Sequence, residues 1–303
     1  MTLRISLPYV GPWDWSQFHQ YHSHRLLPGV EALQADRYSR TVLAGAHAGW
    51  ISVRPVAGDG SLELSISDSL AEHSGFLCAK VARMFDLNSD PSVWEAQFAH
   101  DPYLGRLVAA APGLRLPSAY DPFELAVRAI VGQQVSVKAA ITITRRLVAR
   151  FGQPLQEANL TGAVGLSSLF PTAATLAHGN MDAIGMPTKR VATLQRLSAA
   201  VADGSLDFRK VGQTADELIQ HLCELPGIGN WTAEYIALRG FASPDAFPAA
   251  DLGLLKAPVW GPDGISAARL RQRAEAWRPW RAYAAMHLWK DYERSKSGTG
   301  PDV

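Results

Sequence analysis

A chain of 303 residues, 47% hydrophobic and 19% charged, has the composition of an ordinary soluble globular protein and can bury a large core in two or three domains. No apolar run is long enough to span a bilayer and no signal peptide follows Met1, so a cytoplasmic location without membrane contact is expected. Cys78 and Cys223 lie in apolar helical patterns and read as buried free thiols; two cysteines cannot ligate a four-cysteine iron–sulfur cluster.

The net charge of +1 says little about partners, but its distribution says more. Residues 1–100 carry 7 Lys/Arg against 10 Asp/Glu, residues 101–200 carry 10 against 5, and residues 251–303 carry 9 against 6. Positive charge therefore gathers in the later parts of the chain.

Residues 1–100 read as a separate α+β domain. Ser39–Ala44, Trp50–Val56 and Leu62–Ile66 alternate as antiparallel strands do, with a turn at Gly58-Asp59-Gly60. Leu70 to Leu87 reads as a helix with Leu77, Val81 and Phe85 on one face, and Asp90-Pro91 starts another. No chemistry is assigned to this domain. His19, His22 and His24 have no neighbouring cysteine or second cluster and read as surface or core residues. Residues 101–120 form a linker, with Pro112–Pro117 at its centre, and the start of a helical core.

From Asp121 the pattern is almost entirely helical. Asp121 is an N-cap, with Pro122 at the first helical position and Glu124 at the third. Val135 to Phe151 forms the next helix, Thr161–Leu176 is looser, and Lys189 to Ala202 is helical again. Thr214-Ala215-Asp216-Glu217 is a capping box, followed by Leu218, Ile219, Leu222 and Leu225 at helical spacing. Pro226 and Gly227 stop that helix, and Gly229 permits a backbone geometry that a side chain would hinder. A second helix runs from Asn230 to Gly240. The amides of Gly227 and Gly229 at its positive end form an anion site that needs no basic side chain, to which Thr232 can add a hydroxyl. Leu252–Ala257, Ser266–Trp277 and Trp280–Glu293 complete the helices. Asp251, ahead of Leu252, reads by itself as an N-cap.

The run Leu225-Pro226-Gly227-Ile228-Gly229-Asn230-Trp231-Thr232-Ala233 followed by Asp251 resembles the helix-hairpin-helix superfamily of DNA glycosylases, and within it the bacterial 3-methyladenine DNA glycosylase II (AlkA) type. The resemblance covers most of the chain. It includes Asp121–Glu124 through Gly132-Gln133, Gly185–Arg190, and Trp277–Arg281 through Trp289. It implies an α+β protein: an N-terminal antiparallel sheet domain, then a helical glycosylase core of two subdomains. These are residues 121–243, with the hairpin at 214–241, and residues 244–303, with the active site in the cleft between them. A monomer on double-stranded DNA is expected, flipping alkylated bases of the 3-methyladenine and 7-methylguanine type and hydrolysing the N-glycosidic bond.

The resemblance assigns roles residue by residue. Asp251 is the catalytic carboxylate, stabilising positive charge on the sugar. Trp231, Tyr235, Trp289 and Leu252 line the base pocket, where a cationic base gains a cation–π term. Gly227, Gly229, Thr232, Lys189 and Arg190 hold the DNA backbone, with Lys138 a further phosphate contact. Gln134 plugs the duplex where relatives insert leucine, and Leu252 stands where a tyrosine often follows the aspartate. Trp231 occupies the place of the nucleophilic lysine of other relatives, so no strand cleavage is expected. No cofactor is required; the carbonyls of Cys223, Leu225 and Ile228 are the family's site for Na+ or K+. Two alternatives stay open: a glycosylase for oxidised or deaminated bases, and a non-catalytic damage-binding module, which would not need Asp251.

Overall fold

A computed structural model describes residues 2–156, 164–208 and 214–296. Residues 161–163 of the looser region and the tail beyond 296 lie outside them. The N-terminal part is a five-stranded antiparallel sheet in the order β1-β5-β4-β3-β2, made by β1 (Thr2–Pro8), β2 (Glu31–Gln34), β3 (Arg37–Ala44), β4 (His47–Val56) and β5 (Ser61–Ser67). Alternation puts Leu62, Leu64 and Ile66 on its buried face, where α1 (Trp15–Ser23) and α2 (Ser74–Met84) supply Phe18, Leu77 and Val81. The three expected strands are present within slightly longer ones. The edge strands β1 and β2 escaped the sequence reading; β2 has four residues, too few to show a period. The helix expected over 70–87 is broken into a 3-10 turn (Asp68–His73) and α2, and ends where Asp86 turns left-handed at φ 54°. That turn aims the Asp86 carboxylate at the Leu116 amide and the Tyr283 hydroxyl.

The helical body contains α3 (Pro91–Phe98), α4 (Leu104–Ala110), α5 (Pro122–Val131), α6 (Val137–Phe151), α7 (Ala173–His178), α8 (Thr188–Ala202), α9 (Ala215–Glu224), α10 (Asn230–Phe241), α11 (Leu252–Leu255), α12 (Ala267–Ala274) and α13 (Arg281–Lys296). One apolar cluster runs through all of it, from Trp94 to Leu288. Helix α5 sits near its centre, burying Phe123, Ala126, Val127, Ile130 and Val131. Residues 91–100, grouped by sequence with the sheet domain, pack here: Trp94 stacks on Tyr283 at 3.8 Å, and Phe98 joins the same apolar cluster. Nor is Pro112–Pro117 a free linker. Leu114, Arg115 and Leu116 are buried, and Arg115 donates to the carbonyls of Pro12 and Asp86. Cys78 is half-buried and Cys223 exposed, so the expectation of two buried thiols holds for neither; both are free.

A buried ion cluster joins the sheet to the helical body. Arg40 of β3 pairs with Glu124 of α5 at 2.7 Å, and Arg128 of α5 reaches Glu124 and Glu31 of β2, each at 3.1 Å. The Tyr38 hydroxyl and the Leu27 amide complete the shell of Glu31. Asp121 does cap α5 through the Glu124 amide, but the Glu124 side chain is drawn into this cluster rather than back to the cap. Burial by itself raises the Glu31 carboxyl; the guanidiniums of Arg128 and Arg40 outweigh it and hold the group at about 2.

Burial also pushes the imidazoles of His22 and His287 down to about 3. Both are therefore neutral in the fold, while the unfolded chain protonates near 6.5. Their contribution to stability is intact above that pH and is lost as pH falls toward 3, at up to about 1 kcal/mol per pH unit each. Urea unfolding between pH 7 and about 5.5, above the range where Glu31 titrates in either state, will show stability falling with pH. His287→Leu will flatten that slope; an unchanged slope would show that this imidazole is not a source of it.

Candidate active site

The hairpin is built by local rules. Thr214 and Glu217 form the reciprocal capping box of α9, each side chain meeting the other's backbone amide at 3.2 and 2.8 Å. The chain then turns through Pro226 and Gly227. Gly227 lies at φ +97°, and a Cβ there would fall 1.9 Å from Thr193 Oγ1, so no side chain fits. Thr193, on α8, donates to the Pro226 carbonyl at 3.0 Å and locks that helix against the turn. Gly229 corrects the sequence reading: it is the extended N-cap of α10, at φ −92°, and a Cβ there would meet open space. Any residue could adopt this backbone; a glycine leaves the approach to the helix end clear.

The anion site thus comprises the first-turn amides of α10, beside exposed Gly227 and Gly229. Thr232 has its side chain buried beneath the turn. It is 4% exposed, and Oγ1 accepts from Gln133 Nε2, which also donates to the Gly227 carbonyl at 3.1 Å. Thr232 braces the turn and contributes a first-turn amide. Lys189 is exposed one helical turn before Thr193, while Arg190 is half-buried. Gln134 is exposed in the α5–α6 turn at φ 55°, with the exposed Val135 and Val137 beside it, and Lys138 is exposed on the first turn of α6.

Asp251 is the N-cap that the sequence allowed, and its carboxylate also faces the cavity. It caps α11, Oδ1 accepting the amides of Gly253 at 2.9 Å and Leu254 at 3.3 Å. Two indoles also converge on it: Trp289 Nε1 donates to Oδ1 at 2.7 Å and Trp231 Nε1 to Oδ2 at 3.1 Å. Four N–H groups from α10, α11 and α13 fix the plane of one carboxylate. Oδ1 is saturated, whereas Oδ2 carries one bond and keeps a lone pair for the space in front of it. Gly253, unremarked in the sequence, makes this possible. A Cβ there would lie 2.9 Å from Trp289 Cδ1 and 3.1 Å from Asp251 Oδ1.

A cavity of about 450 Å³ opens beside Asp251. Trp231 and Tyr235 line it as a stacked pair, 5.4 Å apart and 11° from parallel, as their i, i+4 spacing on α10 predicts. Trp289 lines it too. Leu252 does not: it is 65% exposed and projects outward from the first residue of α11, away from the wall expected of it. The N-terminal domain, to which the sequence reading gave no chemistry, supplies a third wall through Gln17, Tyr21 and Arg25. Both helical subdomains line the cavity, through Trp231 and Tyr235 on one side and Asp251 and Trp289 on the other, and the N-terminal domain closes a further side.

Tyr21 sits among cations. The Arg25 guanidinium lies 4.5 Å and that of Arg239 4.4 Å from its ring centroid, and Arg239 also lies 5.1 Å over Trp289. Burial raises the Tyr21 phenol, but Arg239, Arg25 and Arg128 outweigh it and leave the net shift downward. Lys290, the amine among the described residues lining the cavity, has its ammonium lowered by burial. Tyr21, Arg25 and Arg239 gave no sequence signal as a group, because contacts across more than 200 residues leave no local period. Among the described residues no group of three His, Cys, Asp or Glu is placed to hold a metal ion, and no helix is long and apolar enough to cross a membrane.

Gly253→Ala will displace the Trp289 edge and slow single-turnover base release about tenfold or more, with DNA affinity within about twofold of wild type. Full activity in this variant would show that the packing of Trp289 against α11 is dispensable.

Comparison with known proteins agrees with this geometry. Residues 4–121 match the AlkA N-terminal domain, and residues 127–259 match the HhH-GPD superfamily base excision DNA repair proteins. The chain is 35% identical over 287 residues to DNA-3-methyladenine glycosylase 2 of Escherichia coli K12, covering 94% of this chain and 96% of that one. It is 37% identical over 294 residues to a probable bifunctional transcriptional activator/DNA repair enzyme AlkA of Mycobacterium tuberculosis, covering 96% of this chain and 58% of that longer protein. A 3-methyladenine DNA-glycosylase from Archaeoglobus fulgidus shares the fold, with a TM-score of 0.75 at 19% identity, over 96% of this chain and 98% of that one. Sheet domain, hairpin and buttressed aspartate thus occur together across nearly the whole length, and the chain belongs to the AlkA-type 3-methyladenine DNA glycosylases of the helix-hairpin-helix superfamily.

Proposed function

We propose that the protein is a monofunctional DNA glycosylase of base excision repair that removes alkylated bases from duplex DNA and leaves an intact abasic site. The observation that carries this is the Asp251 carboxylate, held by two indole N–H groups and two backbone amides at the mouth of an aromatic cavity. The hairpin amides would take a phosphate, with Lys189 and Lys138 alongside. Gln134 would fill the gap left by the flipped nucleotide. The base would enter the cavity against Trp231 and Tyr235, where a cationic ring gains roughly 1–2 kcal/mol from an aromatic face.

Breaking the C1′–N bond builds positive charge on the sugar. A carboxylate already fixed in plane stabilises that charge without reorganising, and its free Oδ2 lone pair can orient the attacking water. An N-alkylated purine is itself cationic and leaves without a strong general acid, which fits a site with one carboxylate in this role. A second reading, a glycosylase also acting on neutral carbonyl-bearing bases, draws support from the Arg25 and Arg239 guanidiniums and the Tyr21 hydroxyl in the cavity wall. A purely binding module would leave the four-donor cradle of Asp251 unexplained.

The carboxyl end of α9 carries the carbonyls of Cys223, Leu225 and Ile228 around the turn, hard oxygen donors suited to Na+ or K+; such an ion would reinforce the grip on phosphate. A monomer acting at the bacterial nucleoid completes the reading.

Wild-type protein incubated with a methylated duplex will release 7-methylguanine and 3-methyladenine, and Asp251→Asn will be slower by about 100-fold or more. Equal rates would remove Asp251 from the mechanism. Borohydride will trap no covalent complex; a trapped complex lost in Lys290→Ala would instead make that amine a nucleophile.

A further inference from the structure

The cavity wall contributed by the N-terminal domain is connected to the catalytic carboxylate by an unbroken series of contacts. Tyr21, near the end of α1, presents its ring to the Arg239 guanidinium at 4.4 Å. Arg239, on α10, in turn lies 5.1 Å over the Trp289 ring on α13. Trp289 then donates its indole N–H to Asp251 Oδ1 at 2.7 Å.

Arg239 has little freedom in this arrangement. It is 5% exposed, Nη1 donates to the Pro117 carbonyl at 2.7 Å, and its own carbonyl accepts the Ala119 amide at 2.7 Å. The buried strap between the two domains therefore pins it at both ends. On its edge, Trp289 meets Gly253, where even a methyl group would collide. With an edge stopped by Gly253 and a face covered by Arg239, the indole has a single plane available, and in that plane its N–H points at Asp251. Cation–π contact between a buried guanidinium and two rings is strong enough to hold such a plane.

We propose that Tyr21 and Arg239 are positioning residues for catalysis: the Tyr21–Arg239–Trp289 stack sets the indole plane that aims Trp289 Nε1 at Asp251, which makes the N-terminal domain part of the catalytic apparatus. The proposal rests on the glycosylase reading, and wild-type base release establishes that reading before any variant is compared. Tyr21 also borders the cavity, so a direct contact with the base is the competing explanation for any loss of activity. The two differ in their dependence on Trp289. Positioning acts through the indole and has nothing to act through once the N–H donor is gone.

The test is a double-mutant cycle read by single-turnover release of 7-methylguanine at saturating protein, with duplex affinity and thermal melting measured for every variant. Tyr21→Leu in the wild-type background is expected to slow release by about tenfold while duplex affinity stays within about twofold. Tyr21→Phe, which keeps the ring, is expected to restore most of the rate. In a Trp289→Phe background, Tyr21→Leu is expected to cost less than about twofold further. An equal cost in both backgrounds, or no cost in the wild-type background, overturns the proposal. If Tyr21→Leu melts below the assay temperature, Arg239→Lys, which keeps the charge and loses the planar stack, enters the same cycle under the same criteria.

Discussion

The structure depends on holding one carboxylate still. Asp251 accepts four N–H donors, two from backbone amides at the start of α11 and two from indoles on different helices. A carboxylate on a surface loop rotates freely and would have to be oriented as the reaction proceeds. Here that ordering is completed by folding, as the proposed stabilisation of a cationic sugar requires. Capping and immobilisation are one arrangement, because the amides that need a cap are also donors that fix the cap.

Meeting that requirement determines much of the architecture. The two indoles converge on Asp251 from α10 and α13, and the shared apolar cluster from Trp94 to Leu288 holds both helices. Gly253 is needed because Trp289 passes within van der Waals contact of the α11 backbone. Gly227 is needed because α8 locks against the hairpin turn through Thr193. The same α10 that starts at the hairpin turn carries Trp231, Tyr235 and Arg239, so the free amides of the turn, the aromatic wall and the hold on Asp251 share one rigid element. The buried Glu31–Arg40–Glu124–Arg128 cluster fixes the sheet domain to α5 and thereby brings Tyr21 and Arg25 to the cavity.

Much of this was legible in the sequence where the cause was local. The capping box at Thr214, the stop at Pro226-Gly227 and the i, i+4 pair Trp231–Tyr235 are each set by a few neighbouring residues, and each formed as read. Asp251 was singled out by its motif context, though its donors were not. Errors arose where distant residues decide the outcome. Thr232 is expected at a phosphate, and the fold adds what its neighbours do not show: Gln133, 99 residues away, donates to its oxygen and its side chain is buried. Leu252 is a local exception: next to Asp251 it reads as a pocket wall, but it is 65% exposed at the first position of α11. Gly229 was credited with a strained backbone that it does not have; its reason lies in the open space beside it. Glu124 looked like half of a cap and became half of an interdomain ion pair. Tyr21, Arg25, Arg239 and Gly253 were missed because their significance exists only after folding.

Two indole N–H groups hold Asp251 in place. Trp231→Phe and Trp289→Phe keep an aromatic ring in each place and remove the donor. A hydrogen bond to a charged group contributes roughly 1.5–3 kcal/mol. Single-turnover release of 7-methylguanine at saturating protein should therefore slow by about tenfold or more in each variant, with duplex affinity little changed. Release at the wild-type rate in both variants would contradict the claim that these indoles orient the catalytic carboxylate.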